Sequence, residues 1–335
     1  MFPPEIQRKI NDSYEIENNV LNAVPQPMVS IRTSAYNHGK YIRQCIEGIL
    51  MQKTDFAFEY IIGEDFSTDD TREIVMEYAA KYPDIIRVVT ADYNVGMKAN
   101  GERCIMRCRG KYMALCEGDD YWTDPYKLQK QVSYMEEHPE CALVYTKART
   151  VRLDGATTII GEPIDPEYGL LVKNVIPTLT TCIRRDVIEE YTATAELSGK
   201  IWPAGDYPQW LWIAQKYEIH FIDEVTSAYR VLTESASHSK DINKHVNFQN
   251  GVYDIQSYFI KNFYGGNSKL LKKADRRRCW VLFRTYIVYG KNREAFGLFA
   301  KNIFKLSAKN IATALAVFVS PMVRAKVTAR WKLYY

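Results

Sequence analysis

Proline (13) and glycine (17) are sparse in this 335-residue sequence, which excludes a collagen-like or low-complexity chain. No Cys-x-x-Cys pair occurs. The seven cysteines (Cys45, Cys104, Cys108, Cys116, Cys141, Cys182, Cys279) are odd in number and scattered through apolar contexts, which argues against a disulfide framework and a structural zinc site and for a reducing cytosol. The first residues lack the apolar run of a secretory signal. The most apolar late stretch, Ile311 to Val323, is too short to span a bilayer, so no transmembrane helix is predicted. What is present, 47% hydrophobic and 25% charged residues, is enough to bury a core of one large or two ordinary domains and excludes disorder as the main state.

The net charge of +4 hides an asymmetry. From Lys269 onward there are 16 Lys and Arg against 2 Asp and Glu, giving +14, and residues 1–268 are left with −10. An acidic first part suits a metal-binding site. The basic tail, interleaved with Trp280, Phe283, Tyr286, Phe296, Phe299 and Phe304, suits an anionic membrane surface or a polyanion.

Hydrophobic periodicity divides the first part into alternating strands and helices. Strands are expected at Met28 to Thr33, Phe58 to Gly63, Ile85 to Thr90, Lys111 to Cys116, Ala142 to Thr146, Thr178 to Arg184 and Ile219 to Tyr229. Helices are expected over Lys40 to Gln52, Arg72 to Lys81, residues up to about Cys108, and Lys127 to His138, with an irregular insertion from Ile159 to Asn174. This alternation calls for right-handed crossovers and a mixed, mostly parallel sheet with helices on both faces. Ligands of such sheets bind beyond the carboxyl ends of the strands. The loops Ser34–His38, Glu64–Asp70 and Glu117–Asp124 are therefore the candidate sites.

The strongest local signal is Ala114-Leu-Cys-Glu-Gly-Asp-Asp-Tyr-Trp, in which an apolar strand ends in three carboxylates within four positions. Such charges repel one another unless a cation or ordered donors neutralise them, and a hard divalent metal does so economically. Glu117 and Asp119, two apart, share one face of an extended segment while Asp120 takes the other and can hold the loop.

These segments, together with Val-Ser-Ile, Tyr-Asn-His-Gly-Lys-Tyr-Ile, Ile-Ile-Gly-Glu-Asp-Phe-Ser-Thr-Asp-Asp-Thr and Asn-Val-Gly in that order over residues 28 to about 240, resemble a family 2 glycosyltransferase of the GT-A fold. The resemblance implies inverting transfer of a sugar from a nucleotide diphosphate sugar to an acceptor hydroxyl, with Mg²⁺ or Mn²⁺. It places the metal on Asp119 and the donor on Ser34, Tyr36, Asp65, Glu117, Gly118 and Arg230, Glu117 standing where the family commonly has Asp. A carboxylate at position 65 can accept from the N3–H of uracil, a donor that cytosine lacks, so a UDP-sugar is expected, with Tyr36 lining the base. Phe66 replaces a usual glycine. Asp69 and Asp70 are read as caps of the following helix, and Asn37 and His38 as turn formers. The resemblance puts the general base in an acidic motif further on, where Asp206 in Gly205-Asp206-Tyr207-Pro208 is the candidate, with Trp202, Tyr207 and Trp210 as an aromatic setting for acceptor or sugar. It also implies a loop closing over the diphosphate, to which Arg230 and the possible metal ligand His238 belong.

The domain expectation is a lead segment 1–27, a catalytic domain 28–245 and a basic amphipathic helical region 246–335. Residues 269–335 are assigned to an anionic membrane surface, making the protein cytoplasmic and peripheral on the inner face of the membrane. No nucleic-acid motif accompanies the charge. A hexosyl or N-acetylhexosaminyl transfer to a glycan or lipid-linked acceptor in surface-polysaccharide synthesis is expected. A metal-dependent nucleotidyltransferase would want a glycine-rich basic loop after the first strand, which Ser34-Ala-Tyr-Asn-His-Gly does not supply. A catalytically silent sugar-nucleotide-binding scaffold on the membrane is disfavoured by Asp65, Asp119 and Asp206 occurring together.

Overall fold

The computed structural model describes residues 2–18, 26–194, 197, 199–232 and 241–332. An amino-terminal helix α1 (Pro4–Asn11) and a short strand β1 (Tyr14–Glu15) precede three strand–helix units: β2 (Val29–Ala35) with α2 (Ile42–Leu50), β3 (Phe58–Glu64) with α3 (Thr71–Lys81), and β4 (Ile86–Thr90) with α4 (Met97–Ile105). Next come β5 (Tyr112–Leu115), β6 (Tyr121–Trp122), α5 (Lys127–Glu137), β7 (Cys141–Arg152) and β8 (Ile159–Ile160). The sheet is completed by β9 (Cys182–Arg184), α6 (Arg185–Ala193), α7 (Tyr207–Lys216) and β10 (Glu218–Val231). Five helices follow: α8 (Ile242–Phe263), α9 (Ser268–Val288), α10 (Asn292–Asn302), α11 (Ala308–Val319) and α12 (Pro321–Lys332).

The strands form one ten-stranded sheet in the order β1-β4-β3-β2-β5-β9-β7-β10-β6, with β8 on β7. Strands β4, β3, β2 and β5 are mutually parallel, as are β7 and β10, whereas β9 runs antiparallel to both β5 and β7. Parallel strands covered on both faces need apolar side chains on both. In β3, Tyr60 and Ile62 enter one core cluster with Ile42, Ile46 and Val75, while Ile61 enters the other with Met113, Leu143 and Trp210. On α2 the buried Ile42, Cys45, Ile46 and Ile49 recur at three and four residues and seat one face on the sheet.

Three differences from the sequence expectations bear on function. Residues Thr178–Thr180 form a 3₁₀ turn instead of strand, closed by Thr180 and Thr181 N–H to the carbonyls of Pro177 and Thr178; the turn delivers Thr178 to the site described below. The domain boundary expected at 245/246 falls inside α8, whose Ile255, Phe259 and Ile260 join the core of the sheet domain. The lead segment is likewise part of the sheet domain, since β1 pairs with β4 and Ile10 packs on Ala91, Val95 and Ala99.

The tail is a helical unit with its own core. Cys279, Phe283, Ile287, Ala295, Phe299, Ala314, Val317 and Trp331 are buried together, with Trp280 and Phe318 against them. Helix α9 serves both cores, because its Ala274, Leu270 and Leu271 pack on the sheet domain. Phe283 and Phe299, expected to face a membrane, are thus interior. Helical amphipathicity does not say whether the apolar stripe meets lipid or protein. Among the described residues no helix is long and apolar enough to cross a membrane.

Candidate functional site

The carboxyl ends of β2, β3 and β5 converge where the acidic loops lie. The loop after β5 is tied to β2 by Gly118 N–H donating to the Ser34 carbonyl at 3.0 Å. A Cβ on Gly118 would come within 2.7 Å of His38 Nδ1 and 3.1 Å of the Ser34 oxygen, so this position requires glycine for close approach. Arg32, inside β2, aims its guanidinium along the same edge. It donates from Nη1 to Ser34 Oγ at 2.6 Å and from Nη2 to Glu117 Oε1 at 3.1 Å. Glu117 is thus already half neutralised, leaving Asp119 as the freer carboxylate.

Asp120 is buried and accepts from the Arg230 backbone N–H at 2.7 Å, fastening the acidic loop to β10; the segment is not extended as expected but a turn, closed by Asp120 N–H donating to the Glu117 carbonyl at 2.9 Å, so alternation of faces is not what places it. Burial first, and the neighbouring Asp119 charge second, push its pKa far above the usual carboxylate range. Asp119 is also raised, mainly by burial, with Glu117 adding to the shift and His38 and Arg230 opposing it. The carboxylates of Glu117 and Asp119 are hard oxygen donors of the kind a divalent cation takes. Among the described residues no group of three or more His, Cys, Asp or Glu converges as a closed cage.

Arg230 is more committed than the sequence implied. Its guanidinium donates to the Asp119 carbonyl at 2.5 Å and to Gln44, and lies over the rings of Tyr121 (4.5 Å) and Tyr41 (5.1 Å). It clamps the acidic loop, so its guanidinium is engaged there rather than free as the expected reach toward a diphosphate would have it. His238 lies outside the described residues.

Asp65, only 2% exposed, accepts from Val95 N–H at 2.8 Å through Oδ1 and from Gly96 N–H at 2.9 Å through Oδ2. Arg103, fully buried, stands 3.5 Å from Oδ1. Asp65 thereby fixes the turn before α4, and burial holds the Asp65 pKa up against these backbone N–H groups and Arg103. A carboxylate has about four lone-pair sites, so two remain. Tyr36, 45% exposed, and Phe66, with a positive φ of 57°, flank the same end of the sheet. Asp69 accepts from Gly39 N–H at 2.9 Å and Thr71 N–H at 3.0 Å, joining the first two loops; Asp70 occupies the N-cap position of α3 without a side-chain capping bond.

Asp206 occupies the N-cap position of α7 without a capping bond and accepts a hydrogen bond from the Thr178 hydroxyl. Burial raises its pKa, the Thr178 hydroxyl and nearby backbone N–H groups oppose that, and the negative charge of Glu117 adds to it. The charge of the acidic loop is thus felt at Asp206 through Glu117. Trp202, half-buried, packs near Tyr258 on α8 with ring centroids 5.7 Å apart. The loop it belongs to is pressed against α8 at Gly251, where a Cβ would lie 2.3 Å from Pro203. Tyr207 and Trp210 are corrections. Both are fully buried, and Tyr207 Oη donates to the Leu170 carbonyl at 2.5 Å and accepts from Gln256 at 3.0 Å. Both rings belong to the core beneath α7, so they support the site from behind.

Three contributors escaped the sequence reading. Thr178 is 28 residues from its partner and has no local signature. His38 was read as a turn former, yet its Nδ1 is buried beside Gly118 with no hydrogen-bond partner among the described residues. Arg32 did leave a signal: a lone arginine in a buried strand, two residues before Ser34, needs an anion nearby.

A family model described as glycosyl transferase family 2 matches residues 30–189. The putative teichuronic acid biosynthesis glycosyltransferase TuaG of Bacillus subtilis is 30% identical over 218 residues, covering 64% of this chain and 83% of that protein. An uncharacterized protein of Mycobacterium tuberculosis is 41% identical over 162 residues, 47% of each chain, so this chain spans about half the length of the first curated relatives it matches. Among solved structures, the mannosyltransferase PcManGT of Pyrobaculum calidifontis in complex with GDP-Man and Mn²⁺ superposes with a TM-score of 0.58 at 15% identity, covering 98% of this chain and 92% of that one. S. aureus TarS 1–349 in complex with UDP gives 0.55 at 16% identity, covering 87% and 90%. The sheet order, the acidic loop at its carboxyl edge and the relative aligned over most of its own length converge on one conclusion: the fold is GT-A, and the chain belongs to glycosyl transferase family 2.

Proposed function

We propose that the chain transfers a hexosyl or N-acetylhexosaminyl group, with inversion, from a UDP-sugar to a hydroxyl of a glycan or lipid-linked acceptor in surface-polysaccharide synthesis. The observation that supports this best is the acidic loop after β5, which carries Glu117 and Asp119, together with Asp206 at the start of α7, whose pKa is raised by burial and, further, by the Glu117 charge. Inversion in a single displacement needs one base on the acceptor side and positive charge on the leaving side. Asp206 accepts the acceptor hydroxyl proton as the new carbon–oxygen bond forms. Thr178 holds the carboxylate in place and favours its ionised form. Asp119, with Glu117 beside it, would hold Mn²⁺ or Mg²⁺, and the bound cation supplies charge for the departing diphosphate. Ser34, Gly118 and Tyr36 line the donor end, and a free lone pair of Asp65 accepts from uracil N3–H. Trp202 remains the candidate aromatic contact for the sugar or acceptor.

Relatives support the donor and the pathway class: one is described as acting in teichuronic acid biosynthesis, another as a chondroitin synthase, and fold neighbours hold UDP, UDP-GlcNAc or GDP-Man. The basic tail supports a peripheral position on the cytoplasmic face of the membrane. A panel of UDP-, GDP- and CMP-sugars tested for metal-dependent hydrolysis and thermal shift decides the donor without knowledge of the acceptor. UDP-sugars are expected to respond. Asp119→Ala should abolish the metal-dependent part of donor binding with the fold intact, and unchanged metal dependence in that variant would reject Asp119 as the ligand.

A further inference from the structure

The tail hides most of its aromatic residues and leaves a different apolar surface open. On α11, Ala308, Ala312, Leu315 and Val319 are exposed at successive intervals of four, three and four residues, while Ala314 and Val317 are buried in the tail core. Leu315 is 49% exposed and Val319 82%; Met322, just past the helix, is 70% exposed and Phe304, just before it, fully exposed. No charged residue interrupts the sequence between Lys309 and Arg324. The helix end is also prepared for a dry setting. Arg324 donates from Nε to the Val317 carbonyl at 2.9 Å and from Nη2 to the Phe318 carbonyl at 3.2 Å, satisfying carbonyls that a helix terminus otherwise leaves to water.

We propose that this outer face of α11, extended by Phe304 and Met322, inserts into the interface of an anionic lipid bilayer. The inference deepens the peripheral-membrane part of the reading above and rests on it. Charge decides the occupant. The exposed Lys301, Lys305, Lys309, Lys326 and Arg330 belong to a region of net charge +14, which repels a second copy of itself and attracts anionic headgroups. Twelve residues span roughly 18 Å as a helix, too little to cross the hydrocarbon core. The helix therefore lies in the plane of the interface, with its apolar stripe down and lysines at headgroup level. The sheet domain would be held close to the surface, where a lipid-linked acceptor is found.

The test uses the full chain and vesicles of equal parts phosphatidylglycerol and phosphatidylcholine, with pure phosphatidylcholine as control. Intact protein should co-sediment with the anionic vesicles, less so as salt rises. The variant F304S/V319S/M322S should lose about tenfold or more in partitioning at an unchanged melting temperature, because all three side chains are exposed. K301E/K309E should weaken anionic binding and leave any residual binding to neutral vesicles untouched. Binding of the intact chain that the triple serine variant retains in full would overturn the insertion face while leaving the peripheral reading standing. Failure of the intact chain to bind anionic vesicles would remove both. Concentration-dependent dimers of the intact chain that the triple variant abolishes would assign the face to a second copy and overturn the proposal.

Discussion

As the proposed base, Asp206 has to be ionised to accept a proton, yet its surroundings favour the protonated form. The acid limb of kcat/KM should therefore lie at a higher pH than an ordinary aspartate would give. Thr178→Val removes the hydroxyl that favours the carboxylate, so that limb should move further toward neutral pH. A pH profile of donor hydrolysis or transfer checks this, and an unmoved limb would detach Thr178 from the base. Asp206→Asn keeps the shape and removes the proton acceptor, so transfer should fall by roughly 10²–10⁴ while donor affinity changes little; turnover near that of the unaltered chain would reject Asp206 as the base. The sequence exposed Asp119, Asp120 and Asp206 because each stands in a loop or at a helix start next to its own strand or helix signal. Tyr207 and Trp210 could not be sorted from Asp206 by residue type, since an aromatic beside a carboxylate reads alike as a sugar platform or as core. The rotation of α7 decided it.

Helix α5 contains a buried cation with no part in the chemistry. Lys127 is fully buried, donates to Gln131 Oε1 at 2.7 Å and lies 4.2 Å from the centre of the Trp122 ring. Burial lowers its pKa to about 8, against the weaker pull of Cys182, Cys116 and Asp124. Between that value and the unfolded pKa near 10.5, the unfolded chain holds a proton that the folded chain has released. Stability should accordingly rise with pH across that window, and below it the folded state bears the cost of a buried charge. Lys127→Met keeps the stem and removes the charge. It should raise stability at neutral pH by on the order of 3 kcal/mol and flatten the rise between pH 8 and 10.5. Denaturant melts at pH 7 and pH 10 measure both effects, and a wild-type stability that falls over this window would contradict the assignment. Elements such as α2, α3 and β3 were legible in the sequence because their periodicity is local. The 3₁₀ turn at Thr178–Thr180 was missed because β-branched threonines read as strand, and a Pro177 carbonyl closing the turn leaves no pattern.

For the molecule as a whole, the division of the tail matters most. Helix α9 begins at Ser268 and lays Leu270, Leu271 and Ala274 on the catalytic core before entering the tail core through Cys279 and Phe283. Truncation after residue 268 should therefore uncover part of the α8 face and lower the melting temperature, at about 1.5–3 kcal/mol for each large side chain newly exposed. A thermal melt and dye binding to exposed apolar surface report this; a truncated chain as stable and soluble as the intact one would show that the tail is independent of the sheet. By itself the sequence determined the parallel sheet, the acidic loops at its carboxyl edge and the charge division between the two parts of the chain, because periodicity, strand-end chemistry and net charge are properties of short segments or sums. Tertiary structure alone decided which aromatic residues are core and which are open, that α8 belongs to the catalytic unit, and that Thr178, Arg32 and His38 stand at the site. Those outcomes depend on contacts between residues 28 to 85 positions apart, and burial is settled only when both partners of such a contact are in place.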